Sequence, residues 1–224
     1  MNSEYTGRQV SDRLGVSTEK IVVCSPGNPG WRRRTEPREQ GPILFVGTLE
    51  PRKNLHRLTE AYALLVDRRR DIPDLVLAGA PDPRARDLFT GPVSLARAID
   101  RIRLTGYVSD DERQRLYREA SVLVLPSLDE GFGIPALEAM TIGLPVVASN
   151  RGALPEVVGS AGILVEPDDA EGLAAAIERV LNDAAFSRQM SEAGLARAAQ
   201  FTWDASAERL YGAYRAAGRR RGSA

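Results

Sequence analysis

The sequence predicts an α/β protein, a doubly wound parallel sheet flanked by helices. Three observations predict it. Short apolar, β-branched runs recur along the chain, amphipathic stretches of helical period separate them, and most runs end at glycine or proline. Near-continuous apolar runs mark strands buried on both faces, and strand–helix alternation builds a parallel sheet with right-handed crossovers.

The elements follow in order. Ser3 to Leu14 reads as a helix, and Ile21–Cys24 as a strand after it. Ser25 to Gly30 is dense in breakers, and Arg32 through Gly41 is polar and strandless, so it reads as a linker. Strands are then predicted at Ile43–Val46, Leu75–Ala78, Ile102–Leu104, Val122–Leu125 and Pro145–Ala148, with a sixth at Gly162–Val165. Leu55, Leu58, Tyr62, Leu65 and Val66 keep helical spacing within Leu55–Arg69. Ser109, with Glu112 three residues on, makes a capping box for Asp110–Ala120. Pro135 opens a helix to Thr141. Leu173, Ile177, Val180 and Leu181 form the stripe of Asp168–Asn182. Two more helices lie near Ala185–Ala199 and Thr202–Ala216. The expected organisation is a preceding-domain remnant plus linker at 1–40, a Rossmann-like domain at 41–218 and a basic tail at 219–224.

Composition excludes several function classes. The chain has 224 residues, with 30 basic and 30 acidic side chains. That balance argues against a nucleic-acid partner. No apolar stretch approaches a membrane span. The first five residues carry neither a basic nor an apolar segment, so no signal peptide is expected. The lone Cys24 suits a reducing cytoplasm, and cytoplasmic location is expected, with peripheral contact to the inner membrane face as an option. One histidine, His56, leaves no room for a His-based metal cluster or a Ser-His-Asp triad. Of the basic residues only Lys20 and Lys53 are lysine; the others are arginine. A lysine in this background stands out.

Ligands of open parallel sheets bind beyond the carboxyl ends of the strands. After Ile43–Val46 come Gly47 and then Arg52-Lys53-Asn54, with Asn54 placed to cap the next helix. Two cations beside a helix N-terminus suit a diphosphate, and a solvated charge pair is the bland alternative. After Val122–Leu125 comes the loop from Pro126 to Gly133, containing Glu130; Glu138 falls early on the helix after it. A carboxylate accepts from a pair of neighbouring hydroxyls. Glu130 and Glu138 therefore suit two vicinal diols on either side of a diphosphate, with the N–H groups of Gly131 to Ile134 aimed at the same space. That is the outline of a nucleotide sugar. For Glu138 alone, a favourable charge near a helix N-terminus is the competing reading.

These residues resemble a known family. Gly47-Thr48-Leu49-Glu50-Pro51-Arg52-Lys53-Asn54, the Glu130-x7-Glu138 pair, Gly143-Leu144-Pro145-Val146-Val147-Ala148, Leu154 to Gly159 and Gly162 to Pro167 together are similar to the C-terminal, donor-binding half of a family 4 retaining glycosyltransferase of the GT-B fold. The resemblance runs from about Ser3 to Tyr214. It implies that Arg52 and Lys53 grip the diphosphate and stabilise its departure, acting catalytically with Glu130. It implies that Glu138 takes the ribose hydroxyls. Glu130 would contact the transferred sugar, helped by the N–H groups of Phe132 and Gly133, with Gly47 and Ile134 lining the site and the backbone near Tyr107-Val108 holding the base. Transfer would proceed with retention, by front-face attack. No cofactor or metal is implied, and the chain contains no Asp-x-Asp. The form of the Gly47–Asn54 loop is similar to bacterial mannosyltransferases, which implies GDP-mannose as donor; a glycan or lipid-linked molecule would be the acceptor, in cell-envelope polysaccharide synthesis.

A whole enzyme of that fold holds its acceptor on an N-terminal domain, here represented by Ser3 to Pro29 alone. An N-terminal domain supplied in trans is therefore an expected partner, and a non-catalytic nucleotide-sugar-binding module is the second reading. A third is a nicotinamide-dependent oxidoreductase, since Gly131-x-Gly133-x-x-Ala136 loosely matches a dinucleotide fingerprint. That fingerprint wants an acidic residue ending the next strand, where this chain has Ala148-Ser149-Asn150.

Overall fold

The computed structural model describes residues 1–35, 40–82 and 98–221. Residues 36–39 of the expected linker, 83–97 of the expected domain and 222–224 of the expected tail lie outside the described residues. Strands β1 (Ile43–Val46), β2 (Leu75–Ala78), β3 (Ile102–Gly106), β4 (Val122–Leu125), β5 (Val146–Ser149) and β6 (Ile163–Val165) form one sheet in the order β3-β2-β1-β4-β5-β6, every pairing parallel. The four inner strands are buried throughout, as their unbroken apolar runs require, whereas β3 and β6 are edges and only partly covered.

The helices are α1 (Glu4–Leu14), α2 (Leu55–Arg68), α3 (Asp110–Glu119), α4 (Ile134–Thr141), α5 (Leu154–Val158), α6 (Ala170–Asn182), α7 (Ala184–Ala198) and α8 (Trp203–Arg221). Helix α2 buries Leu55, Leu58, Tyr62 and Leu65 and packs on α6, which buries Leu173, Ile177 and Val180. Helix α4 packs on α7. The Ser109–Glu112 capping box forms in full. The short helix α5 was not anticipated, and α8 runs on to Arg221 rather than ending at Ala216.

One predicted strand is absent. The run Ile21–Cys24 is extended but joins no sheet. Its apolar side chains meet α1 instead, where Gly7 leaves room for Ile21 and Val23. A run four residues long carries the apolarity of a strand without specifying a neighbour. Cys24 is accordingly half-buried rather than sealed in a sheet.

The segment before β1 is fastened to the domain. Arg34, buried, donates from Nη1 to Ala120 O at 2.6 Å and from Nη2 to Gly143 O at 2.9 Å. Asn28 donates to Phe201 O through its side chain at 2.8 Å and its backbone at 2.9 Å.

Candidate functional site

The strand order reverses between β1 and β4, because the chain winds outward one way through β2 and β3 and the other way through β5 and β6. Two adjacent strands whose following segments diverge leave a crevice at their carboxyl ends. The β1 exit carries Gly47 to Asn54, and the β4 exit carries Pro126 to Gly133. Pairing of β1 with β4 therefore brings Arg52-Lys53 and Glu130 together across more than seventy residues of sequence.

Contacts between the two loops are direct. Lys53 Nζ lies 2.5 Å from Glu130 Oε1, and both side chains are only 8% exposed. Ser127 Oγ donates to the same oxygen at 2.9 Å. Arg52 is half-exposed; it donates from Nη1 to Asp129 O at 3.1 Å, stands 3.4 Å from Glu130 Oε2 and pairs through Nη2 with Glu50 at 2.7 Å. The backbone closes the joint, with Leu128 N donating to Arg52 O at 2.8 Å. Glu130 Oε1 thus takes two close protein donors, whereas Oε2 has only the longer Arg52 contact and keeps accepting capacity.

Asn54 departs from expectation. It sits at the N-cap of α2 in the left-handed region, φ 56°, yet makes no side-chain cap. Its Nδ2 donates instead to Pro126 O at 3.0 Å and Pro167 O at 2.7 Å. Both carbonyls lie in strand exits with nearby prolines and no free ladder partner, so a buried amide that bridges them outweighs one cap bond. Asn54 ties the β1, β4 and β6 exits together.

Glycine sets the approach of two further segments. A side chain on Gly79 would place its Cβ 1.9 Å from Gly47 O, and Gly79 N donates to Gly106 O at 3.0 Å. The exits of β1, β2 and β3 consequently meet backbone to backbone, which puts Tyr107-Val108 on the same rim. Tyr107 is 83% exposed there. Gly152, φ 63°, would place a Cβ 2.5 Å from Glu130 N, and Ala153 N donates to Glu130 O at 2.8 Å. The turn before α5 therefore backs the loop that presents Glu130.

Glu138 lies on the second turn of α4, buried, on a different arm of the site. Tyr117 Oη donates to its Oε2 at 2.8 Å, and Arg113 Nη2 lies 3.2 Å from its Oε1. Burial pushes the Glu138 carboxyl above the usual range, against the Tyr117 hydroxyl and the Arg113 charge, which both favour the ionised form. Burial likewise raises the Tyr117 phenol, with the adjacent Glu138 charge adding to it, so Tyr117 stays a donor. Arg113 also faces the Trp31 ring, 5.8 Å from its centroid. Helix α3 starts directly after Tyr107-Val108, so it links that rim to Glu138.

Of the other candidates, Gly133 caps α4 and Ile134 begins it, one residue before the predicted start at Pro135. Phe132 is buried edge-on against Phe201, 5.8 Å between centroids, so its side chain is a packing anchor. Arg52, Lys53 and Glu130 therefore form one contact cluster, and Glu138 belongs to a second with Tyr117 and Arg113. Sequence reasoning missed Ser127, Arg113 and Tyr117. Arg113 and Tyr117, four apart on α3, share a face; that spacing was readable, but the α4 partner was not. The dinucleotide reading loses its acidic residue: β5 ends at Ser149, whose Oγ bonds Ser127 O within the core.

The doubly wound parallel sheet, with helices on its faces, defines an α/β domain of the Rossmann-like class. The family model described as glycosyl transferases group 1 matches residues 31–197, and the chain belongs to that family. It is 40% identical over 176 residues to O-antigen chain mannosyltransferase B of Escherichia coli, covering 79% of this chain and 46% of that protein. Among solved structures, a sucrose-phosphate synthase from Thermosynechococcus elongatus superposes with a TM-score of 0.76 at 31% identity, over 94% of this chain and 56% of the other. The C-terminal domain of a group 1 glycosyl transferase, LpcC of Francisella tularensis, shares the fold at a TM-score of 0.65 and 23% identity, over 78% of this chain and 96% of that one. The chain thus spans about half the length of the fuller relatives it matches.

Proposed function

We propose that this chain supplies the donor site of a retaining glycosyltransferase and binds a nucleotide-diphosphate sugar at the β1–β4 crevice. The observation that carries the reading is the convergence of Arg52, Lys53 and Glu130, from two loops distant in sequence, at the point where the sheet reverses. Arg52 and Lys53 hold the diphosphate. As the bond from the anomeric carbon to the diphosphate oxygen breaks, charge grows on that oxygen, and the two cations stabilise it. The proposal assigns no metal to that step. Glu130 Oε2 accepts from hydroxyls of the transferred hexose, with backbone N–H groups of Phe132 and Gly133 beside it. Glu138, steadied by Tyr117 and Arg113, accepts from the ribose, and the rim at Tyr107-Val108 and Gly47 holds the base and phosphates.

Mannose is the proposed sugar and GDP the proposed carrier, supported by the 40% identity to a protein named as a mannosyltransferase. The acceptor, a glycan or lipid-linked molecule, is proposed to sit on an N-terminal half that residues 1–40 do not provide. Support comes from α8, where Trp203, Tyr211 and Tyr214 are 62%, 65% and 70% exposed. Aromatic side chains left open in a row mark a docking face. No helix among the described residues is long and apolar enough to cross a membrane, so any membrane contact is proposed to be peripheral.

Glu130→Gln and Glu138→Ala test the two-carboxylate reading. Glu138→Ala is expected to weaken GDP and GDP-mannose alike, by about tenfold or more for a charge-assisted bond. Glu130→Gln is expected to leave GDP near normal and remove most of the extra affinity due to mannose. Calorimetric titration of both variants with both ligands decides it, and the same loss pattern in the two variants contradicts the assignment.

A further inference from the structure

The loop that presents Glu130 has no regular structure of its own, yet three of its consecutive carbonyls are each held by a different part of the chain. Asp129 O accepts from Arg52 of the β1 exit at 3.1 Å. Glu130 O accepts from Ala153 N, ahead of α5, at 2.8 Å. Gly131 O accepts from the far N-terminal region: Ser3 Oγ at 2.6 Å and Thr6 Oγ1 at 3.0 Å. The start of helix α1 therefore lies against the donor loop and grips it at Gly131, the residue after Glu130.

The grip is a built one. Ser3 is fully buried, and its Oγ also caps α1 by accepting from Thr6 N at 2.9 Å. One hydroxyl thus fixes the helix start and the loop together. The same helix start is seated on the domain by Glu156 of α5, whose two carboxylate oxygens accept from Glu4 N and Tyr5 N, each at 2.9 Å. A carboxylate at a helix N-terminus is favourable both as acceptor and as charge. Glu156 lies three residues beyond Ala153, so α1 and the turn behind Glu130 are registered against each other. Lys53 and Ser127 hold Glu130 Oε1 and Arg52 stands 3.4 Å from Oε2; the backbone that carries this carboxylate is set by the peptide groups on either side.

We propose that α1 is a positioning strap for the donor loop, with Ser3 and Thr6 fixing the Gly131 carbonyl beside Glu130 so that the Glu130 carboxylate meets the transferred hexose. The proposal rests on the donor reading above and extends it: residues 1–14 work in the site, in addition to marking the edge of a neighbouring domain. Ser3 and Thr6 act through Glu130 and do not touch the ligand. Their loss should therefore lower the preference for sugar nucleotide over nucleoside diphosphate and leave the diphosphate grip of Arg52 and Lys53 alone.

The test compares Ser3→Ala/Thr6→Val with the wild type and with Thr6→Ser, which keeps the hydroxyl, by calorimetry with GDP and with GDP-mannose. The double variant should bind GDP within twofold of wild type and lose roughly tenfold of the mannose-dependent affinity, the scale of one or two hydrogen bonds; Thr6→Ser should stay close to wild type. In a Glu130→Gln background the same double substitution should change the mannose increment little, because coupled residues are not additive. Where the double variant melts below the assay temperature, Ser3→Ala and Thr6→Val singly carry the same comparison. Equal losses for GDP and GDP-mannose, or an undiminished effect in the Glu130→Gln background, would overturn the strap. If Glu130→Gln alone leaves the mannose increment intact, the donor reading itself is wrong and the strap falls with it; if Glu130→Gln removes the increment and the strap variants do not, only the strap is wrong.

Discussion

The 224-residue chain on its own is expected to bind a nucleotide sugar and to transfer nothing. Retaining transfer needs an acceptor oxygen held beside the anomeric carbon, and such positioning is worth about 7–11 kcal/mol in well-oriented systems. The groups proposed for the diphosphate and the hexose are all drawn from the β1–β4 crevice and its rim. The face that α8 leaves open, with Trp203, Tyr211 and Tyr214, is where the half that brings an acceptor is proposed to dock. Incubation with radiolabelled GDP-mannose and a panel of glycan and lipid-linked acceptors should release no labelled glycoside above a blank, even at donor saturation. Adding an N-terminal half from a relative is expected to restore transfer. Robust transfer by the chain alone would mean that an acceptor site exists within these residues or is formed by a second copy.

Lys53→Ala is expected to have the largest effect of any single substitution on stability and on binding together. Its ammonium and the Glu130 carboxylate are almost completely removed from water at 2.5 Å. Breaking such a pair leaves a buried charge uncompensated, which costs about 3–5 kcal/mol. Diphosphate affinity should fall by about tenfold or more in the same variant, since a charge-assisted bond contributes roughly 1.5–3 kcal/mol. The two effects separate in Lys53→Met/Glu130→Gln. That double variant removes both charges and keeps an acceptor for Ser127, so chemical denaturation should return to within about 1–2 kcal/mol of wild type. Its affinity for GDP-mannose should not return. Recovery of binding along with stability would show that Lys53 serves the fold and not the ligand.

The parts of this molecule that follow local rules were legible in the sequence. The inner strands are unbroken apolar runs because both their faces are covered, and the capping box at Ser109 announces α3 by spacing alone. Arg52-Lys53 and Glu130 were legible as neighbours at one sheet edge because each follows a strand, and the β1–β4 pairing brings the two loops together. What a single sequence does not encode locally is who faces whom. Asn54 has every mark of a helix cap, but two carbonyls from remote loops claim its amide. Tyr117 reads as core, and it is core, yet its hydroxyl ends on Glu138. The run Ile21–Cys24 has strand composition and packs against α1 instead. Ser3 and Thr6 look like an ordinary helix start, and their contact with Gly131 spans more than 120 residues of sequence. Each of these outcomes depends on pairing across the sheet reversal or across the N-terminal segment, which propensity does not carry.

The central claim is that the β1–β4 crevice holds a nucleotide-diphosphate sugar through Arg52 and Lys53. Calorimetric titration of the chain with GDP, UDP and ADP, each free and carrying a hexose, together with the bare nucleosides, tests it most directly when Arg52→Ala is run in parallel. The account predicts that one base series binds, that its sugar nucleotide binds more tightly than its diphosphate, and that Arg52→Ala weakens both by about tenfold while nucleoside affinity hardly moves. Failure of every nucleotide to bind, or equal weakening of nucleoside and diphosphate by Arg52→Ala, would contradict it.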